Sequence, residues 1–195
     1  MMRYRNRLMS SLAVLLLVSG CAGSQPSRLY TLTAAPPRPP AVAAKPGRVI
    51  GLEGVAVPDY LRRPEMVVRT TGNRLTALEY DRWGGTLELM INQTLLRNLN
   101  ATVEGAEVLQ MPIRMELTPS NTVEVDIDRF DAEEAGQAVL EARWRIYGPD
   151  NRPFRFGRTV VRNPVATPLD PDQIAAALSL ALRDLAGDIG ASLGK

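Results

Sequence analysis

Apolar and polar residues along this chain change period several times, and each change marks an element. Val49 to Val57 is a β-branched and apolar run stopped at Pro58, which reads as a strand. Met66 to Thr70 and Leu75 to Tyr80 flank Thr71-Gly72-Asn73 and read as a hairpin. Leu87, Met90, Ile91, Leu95 and Leu99 then recur at helical spacing, so one buried stripe is expected on a helix running to about Asn98, with Gly84-Gly85-Thr86 as its start. Val108 to Leu117 fits two readings, an edge strand or an irregular segment, because Pro112 interrupts it.

Period two returns further on. Val123, Val125 and Ile127 alternate with Glu124, Asp126 and Asp128; after a turn at Ala132 to Gly136, Leu140, Ala142, Trp144 and Ile146 alternate with Glu141, Arg143 and Arg145. An antiparallel register that sets Asp126 opposite Arg143 and Glu124 opposite Arg145 also sets Val125 opposite Trp144 on the core face. Phe130 breaks the alternation, which predicts a bulge near Arg129. Phe154 to Val161 is a further strand after the turn Gly148-Pro149-Asp150-Asn151. A closing helix is expected from about Pro171 to Leu193, with Asp170 as its cap, Pro171 in its first turn and Gln173 at capping-box spacing. Its buried stripe is Ile174, Leu178, Ala181, Leu185 and Ile189. The economical architecture for this order is an α+β fold: a single domain with a largely antiparallel sheet and two helices packed on one face.

The first 47 residues carry a different pattern. Arg3, Arg5 and Arg7 precede an apolar run from Leu8 to Val18, long enough for a signal-peptide core and shorter than the roughly 18 residues that span a bilayer. The run ends in Val18-Ser19-Gly20-Cys21, and Cys21 is the chain's one cysteine. This segment is similar to a bacterial lipobox, which makes residues 1–20 a lipoprotein signal peptide and Cys21 the lipidation site. Several acyl chains, each buried CH₂ contributing about 0.8 kcal/mol, make a permanent anchor. Ala22 stands where an aspartate would be associated with inner-membrane retention, so the outer membrane is the expected destination. Residues 21–47 are proline-rich and read as a lipidated tether, leaving 48–195 as the domain. Arg28-Leu29-Tyr30-Thr31-Leu32 interrupts that stretch with a short alternation that fits either tether or an added edge strand.

Charge and composition narrow the chemistry. The 23 basic residues include three in the leader, which has no acidic residue; removing residues 1–20 sets 20 bases against 21 acids, a formal charge of −1. A basic nucleic-acid binder is not indicated. Histidine is absent, which excludes Ser-His-Asp and Cys-His arrangements and most zinc sites. Asp126 with Asp128 and Asp170 with Asp172 are better read as a solvated strand face and a helix cap than as metal or acid–base pairs. Gly190 to Lys195 has the wrong spacing for a phosphate loop. No catalytic residue, metal ligand or cofactor is therefore assigned, apart from the covalent lipid on Cys21. Trp144 lies on an inward parity, whereas Trp83, between Arg82 and Gly84, is the candidate for a surface tryptophan.

Three segments, Val55-Ala56-Val57-Pro58-Asp59-Tyr60-Leu61-Arg62-Arg63-Pro64, Glu79-Tyr80-Asp81-Arg82-Trp83 and Asp128-Arg129-Phe130-Asp131, together with the lipobox and the closing helix, resemble the PqiC family of ABC-type transport auxiliary lipoproteins. The resemblance implies a non-catalytic, outer-membrane-anchored accessory of a system that moves lipids between the two membranes. Its implied partners are an MCE-domain protein with its ABC permease and ATPase, and further copies of the chain in a homo-oligomeric ring. Asp59 to Pro64 and Asp81 to Gly85 lie between expected elements and combine arginine with aromatic residues. Asp59, Tyr60, Arg62, Arg63, Arg82 and Trp83 are accordingly the candidates for a partner interface, with structural turns as the competing reading. A free-standing periplasmic lipid-binding or structural envelope lipoprotein is the alternative function; a lipid binder requires a deep apolar pocket with convergent polar groups.

Overall fold

The computed structural model describes residues 25–37, 48–71, 73–112 and 117–194. The expected signal peptide, Cys21, much of the proline-rich stretch, Gly72 of the hairpin turn and residues 113–116 lie outside the described residues. The elements in chain order are β1 (Arg28–Tyr30), β2 (Arg48–Ala56), a 3-10 turn at Asp59–Leu61, β3 (Glu65–Arg69), β4 (Leu75–Trp83) and α1 (Leu87–Thr102). They continue with β5 (Ala106–Gln110), β6 (Asn121–Glu133), β7 (Gln137–Tyr147), β8 (Pro153–Pro164) and α2 (Pro171–Leu193). The fold is α+β, a single domain in which most of the sheet's residue pairs are antiparallel.

The 13-residue β6 organises the sheet. One side of it pairs antiparallel with β7 over its length. On the other side its first half pairs parallel with β2, from Ile50↔Asn121 to Ala56↔Asp126, and its last two residues pair parallel with β3. β2 and β3 therefore lie end to end along one strand, and the chain between them, Val57 to Pro64, leaves the sheet and returns. Beyond β3 come β4 (antiparallel) and β1 (parallel); β5 flanks β2, and β8 flanks β7. The alternative in which Arg28 to Leu32 adds a strand is thus the one observed, with Tyr30 and Leu32 buried. Ala106–Gln110 resolves the first part of the ambiguous stretch as a strand that ends before Pro112.

Both helices pack on one face, against each other and against β2, β5, β7 and β8. The stripes Ile91, Leu95 and Leu99 on α1 and Ile174, Leu178, Leu182, Leu185 and Ile189 on α2 meet Ile50, Val123, Val125, Leu140 and Ile146 in one core. Full burial of such side chains is worth about 1.5–3 kcal/mol each. The predicted register of β6 and β7 is the observed one, including Val125 opposite Trp144, and the ladder shifts between Ile127 and Arg129. Both strands run further than expected, to Glu133 and from Gln137, which leaves a short turn around Gly136. Gly136 has φ +84°, and a Cβ there would stand 2.9 Å from the Val165 carbonyl, so the turn requires glycine.

Candidate functional site

The excursion from Val57 to Pro64 is held at both ends. The Leu61 N–H donates to the Pro58 carbonyl at 3.0 Å, closing the 3-10 turn, and the Trp83 N–H donates to the Pro64 carbonyl at 2.8 Å. β1 fixes the other flank: Arg28 donates through Nε and Nη2 to the Asp81 carboxylate at 2.7 and 3.0 Å, and the Tyr30 hydroxyl donates to the same group at 3.0 Å. This two-toothed clamp raises the Arg28 pKa, while burial and then Asp81 push the Tyr30 hydroxyl upward. The Gly84 N–H donates to the Tyr30 carbonyl at 2.7 Å, and α1 begins three residues later.

The two segments singled out from sequence consequently meet. Together with the end of β1 and the first turn of α1 they enclose an open cleft of about 710 Å³. Leu29, Val57, Leu61, Pro64, Trp83 and Leu87 supply its apolar lining, and Arg62, Arg63, Thr86 and Glu88 its polar part. Leu29 is 69% exposed there, an apolar residue on a strand whose next residue, Tyr30, is core.

Charge at the rim is only partly compensated. Arg63 Nε donates to Glu65 Oε2 at 3.0 Å, Arg82 Nη2 stands 3.7 Å from Glu65 Oε1, and the Arg63 hydrogen bond holds the Glu65 carboxyl below its usual range. Among the described residues Arg62 has only loose partners, Asp59 at 3.5 Å and Glu88 at 3.9 Å. Exposed pairs of this kind contribute about 0–1 kcal/mol, so either guanidinium is free to exchange its partner for an incoming carboxylate.

The individual candidates separate in the structure. Arg62 and Arg63 reach the cleft. Arg82 lies behind it on Glu65, and Asp59 is a solvated end of the turn. Tyr60 turns away: its hydroxyl donates to Asp131 Oδ2 at 3.0 Å, where the fully buried Asp131 also accepts from Arg69 at 3.1 Å and Arg129 at 2.9 Å. Burial, followed by the Asp131 charge, pushes Tyr60 up to about 12. Trp83 is not a surface residue. It is 5% exposed, because β4 extends through Asp81–Trp83 rather than ending at Tyr80, and strand parity sends its indole into the core. Leu61 falls inside the segment Asp59 to Pro64 without being one of the named candidates, and Leu87 is on the expected buried stripe of α1; Leu29 and Glu88 lie outside both candidate segments, and for Leu29 the alternation of Arg28 to Leu32, which sets it opposite in parity to Tyr30, is the signal in the sequence.

Among the described residues no group of three or more Cys, Asp or Glu is arranged to hold a metal ion, and no helix is long and apolar enough to cross a membrane. The one carboxylate in the cleft lining, Glu88, stands 3.9 Å from Arg62. What it offers is recognition: a cationic rim over an apolar floor.

Known proteins share this arrangement of elements. Over 145 residues the chain is 24% identical to the intermembrane transport lipoprotein PqiC of Escherichia coli strain K12, covering 72% of this chain and 76% of the relative, and it matches the Shigella flexneri protein of that name to the same extent. A crystal structure of an uncharacterized protein superposes with a TM-score of 0.73 at 18% identity, covering 87% of this chain and 99% of that one. A Xanthomonas campestris crystal structure superposes with a TM-score of 0.69 at 17% identity, over 86% and 94%. These two share the fold. Residues 30–190 match the family described as the ABC-type transport auxiliary lipoprotein component, and the chain belongs to that family.

Proposed function

We propose that this protein is a non-catalytic accessory of an MCE/ABC-type lipid transport system, anchored in the outer membrane through lipid on Cys21 and facing the periplasm. In this reading the energy of transport comes from the ABC permease and ATPase, an MCE-domain protein carries lipid between the membranes, and copies of this chain form a ring at its outer end. Family membership and the similarity to the intermembrane transport lipoprotein PqiC support the assignment to transport. The observation that carries the docking role is the convergence of Val57–Pro64, the end of β4 and the start of α1 on one cleft with Arg62 and Arg63 at its mouth. Such a cleft suits an apolar anchor residue flanked by carboxylates on the partner.

The test is affinity purification of the full-length, lipidated protein in mild detergent from cells that carry an MCE/ABC-type transport system. Recovery of an MCE protein with its permease is expected. Arg62→Glu combined with Arg63→Glu changes exposed side chains only, so the variant folds and captures roughly tenfold less partner, a loss of about 1.4 kcal/mol in binding. Undiminished capture by the folded variant removes the cleft from the interface. Recovery of the protein alone with bound lipid, even under crosslinking, favours the free-standing lipid-binding lipoprotein instead.

A further inference from the structure

Three strands of the described sheet pair on one side only: β1, β5 and β8. β1 has three residues. β5 is guarded, because Asn100 on α1 acts as a substitute strand: its Nδ2 donates to the Val108 carbonyl at 2.8 Å, and its Oδ1 accepts from the Val108 N–H at 2.9 Å. β8 has 12 residues, and among the described residues its backbone bonds only to β7. Proline stands at its two ends, Pro153 and Pro164, leaving ten consecutive residues that retain their N–H groups. In an antiparallel edge strand about half of these groups point away from the sheet.

The side chains of β8 on the helix-free face are also unusual for an unpartnered edge. Phe154, Phe156 and Val160 share one parity and are 53%, 83% and 48% exposed. Arginine interleaves with them. From Asn151 to Leu169 the chain contains Arg152, Arg155, Arg158 and Arg162 and no acidic residue. Arg158 and Arg162 are tied to Glu141 and Glu133, but Arg155 has no carboxylate within ion-pair distance among the described residues and lies 5.8 Å from the Phe154 ring centre.

We propose that β8 is a docking edge that takes an extended acidic segment of a partner protein as an added strand. Main-chain hydrogen bonds supply the pairing, guest side chains of one parity cover Phe156 and Val160, and carboxylates of the other parity meet Arg155. Charge selects this guest over a second copy of the chain, since β8 against β8 sets arginine beside arginine. The proposal is independent of the transport reading and of the Arg62–Arg63 cleft.

The full-length protein in mild detergent is titrated with a fluorescent ten-residue peptide of alternating glutamate and valine, and amide hydrogen exchange is followed in parallel. Saturable binding is expected, weakening with salt, with exchange slowed at residues 154–163. Replacing the peptide's glutamates by lysine, or introducing Arg155→Glu with Phe156→Asp, lowers affinity at least roughly tenfold, about 1.4 kcal/mol. Absence of binding, equal binding of the lysine peptide, or binding that leaves exchange in β8 unchanged overturns the proposal. Protection of β8 that grows with protein concentration without peptide also overturns it, in favour of self-pairing.

Discussion

A missing side chain at Gly157 is what allows Trp144 its place. A Cβ at that position would lie 2.1 Å from the indole Cζ2, so the ring occupies the volume a side chain on β8 would otherwise fill, and its Nε1 donates to Thr159 Oγ1 at 3.2 Å. Gly157→Ala therefore displaces the indole and costs about 1–3 kcal/mol as an overpacking change, read as a lowered denaturation midpoint; an unaltered midpoint would show that the ring has room to spare. Tyr60 makes a second residue-scale case. Its pKa is about 12 against 10.0 for the unperturbed group. Below pH 10 both folded and unfolded chains keep the proton and the residue adds no pH dependence. Between pH 10 and 12 the unfolded chain ionises first, so stability is lost as pH rises through that window. Tyr60→Phe removes this component, and the stability–pH curves of the two proteins diverge above pH 10; parallel curves would refute the perturbation. Neither Trp144 against Gly157 nor Tyr60 against Asp131 is legible in sequence, because each joins positions on different elements.

At the scale of the element, local pattern was a good guide. Backbone pairing of Glu124 with Arg145 and Asp126 with Arg143 follows from alternation and the position of the turn. The ion pairs themselves are displaced: Arg143 bonds Asp128 at 2.8 Å, while Arg145 reaches both Glu124 at 2.8 Å and Asp126 at 3.1 Å. A long guanidinium stem spans the diagonal of the ladder, which backbone register alone does not specify. α2 starts where its cap predicts. Asp170 accepts from the N–H groups of Asp172 and Gln173 at 3.0 and 3.3 Å and from Gln173 Nε2 at 3.1 Å, while Gln173 Oε1 accepts from the Thr167 N–H and the Asp170 N–H donates to the Thr167 carbonyl, so the two side chains meet without the reciprocal backbone bond of a capping box. Asp170→Ala is expected to lower stability by about 1 kcal/mol, with Asp170→Asn close to the parent, in equilibrium unfolding.

For the whole molecule, the segment before β2 matters more than its composition suggests. Tyr30 and Leu32 are buried in the core, the Thr33 N–H donates to Ser179 Oγ at 3.0 Å, and the Ala35 N–H donates to Asn98 Oδ1 at 2.7 Å. A chain beginning at Arg48 is expected to be less stable than one beginning at Gln25 by roughly 3–6 kcal/mol, the sum for two buried side chains. Calorimetry of the two forms checks this; equal transition temperatures would return 25–37 to the tether. The amino-acid order alone determined the periodicities, the caps, the β6–β7 register and the lack of histidine chemistry, since those depend on neighbours a few residues apart or on composition. Tertiary structure decided that β2 and β3 share one side of β6, that Trp83 faces inward while Leu29 faces out, and that Arg62 and Arg63 meet the end of β4 across a cleft. Each of these joins residues far apart in the chain, and which distant surfaces pair is settled by how the whole core packs.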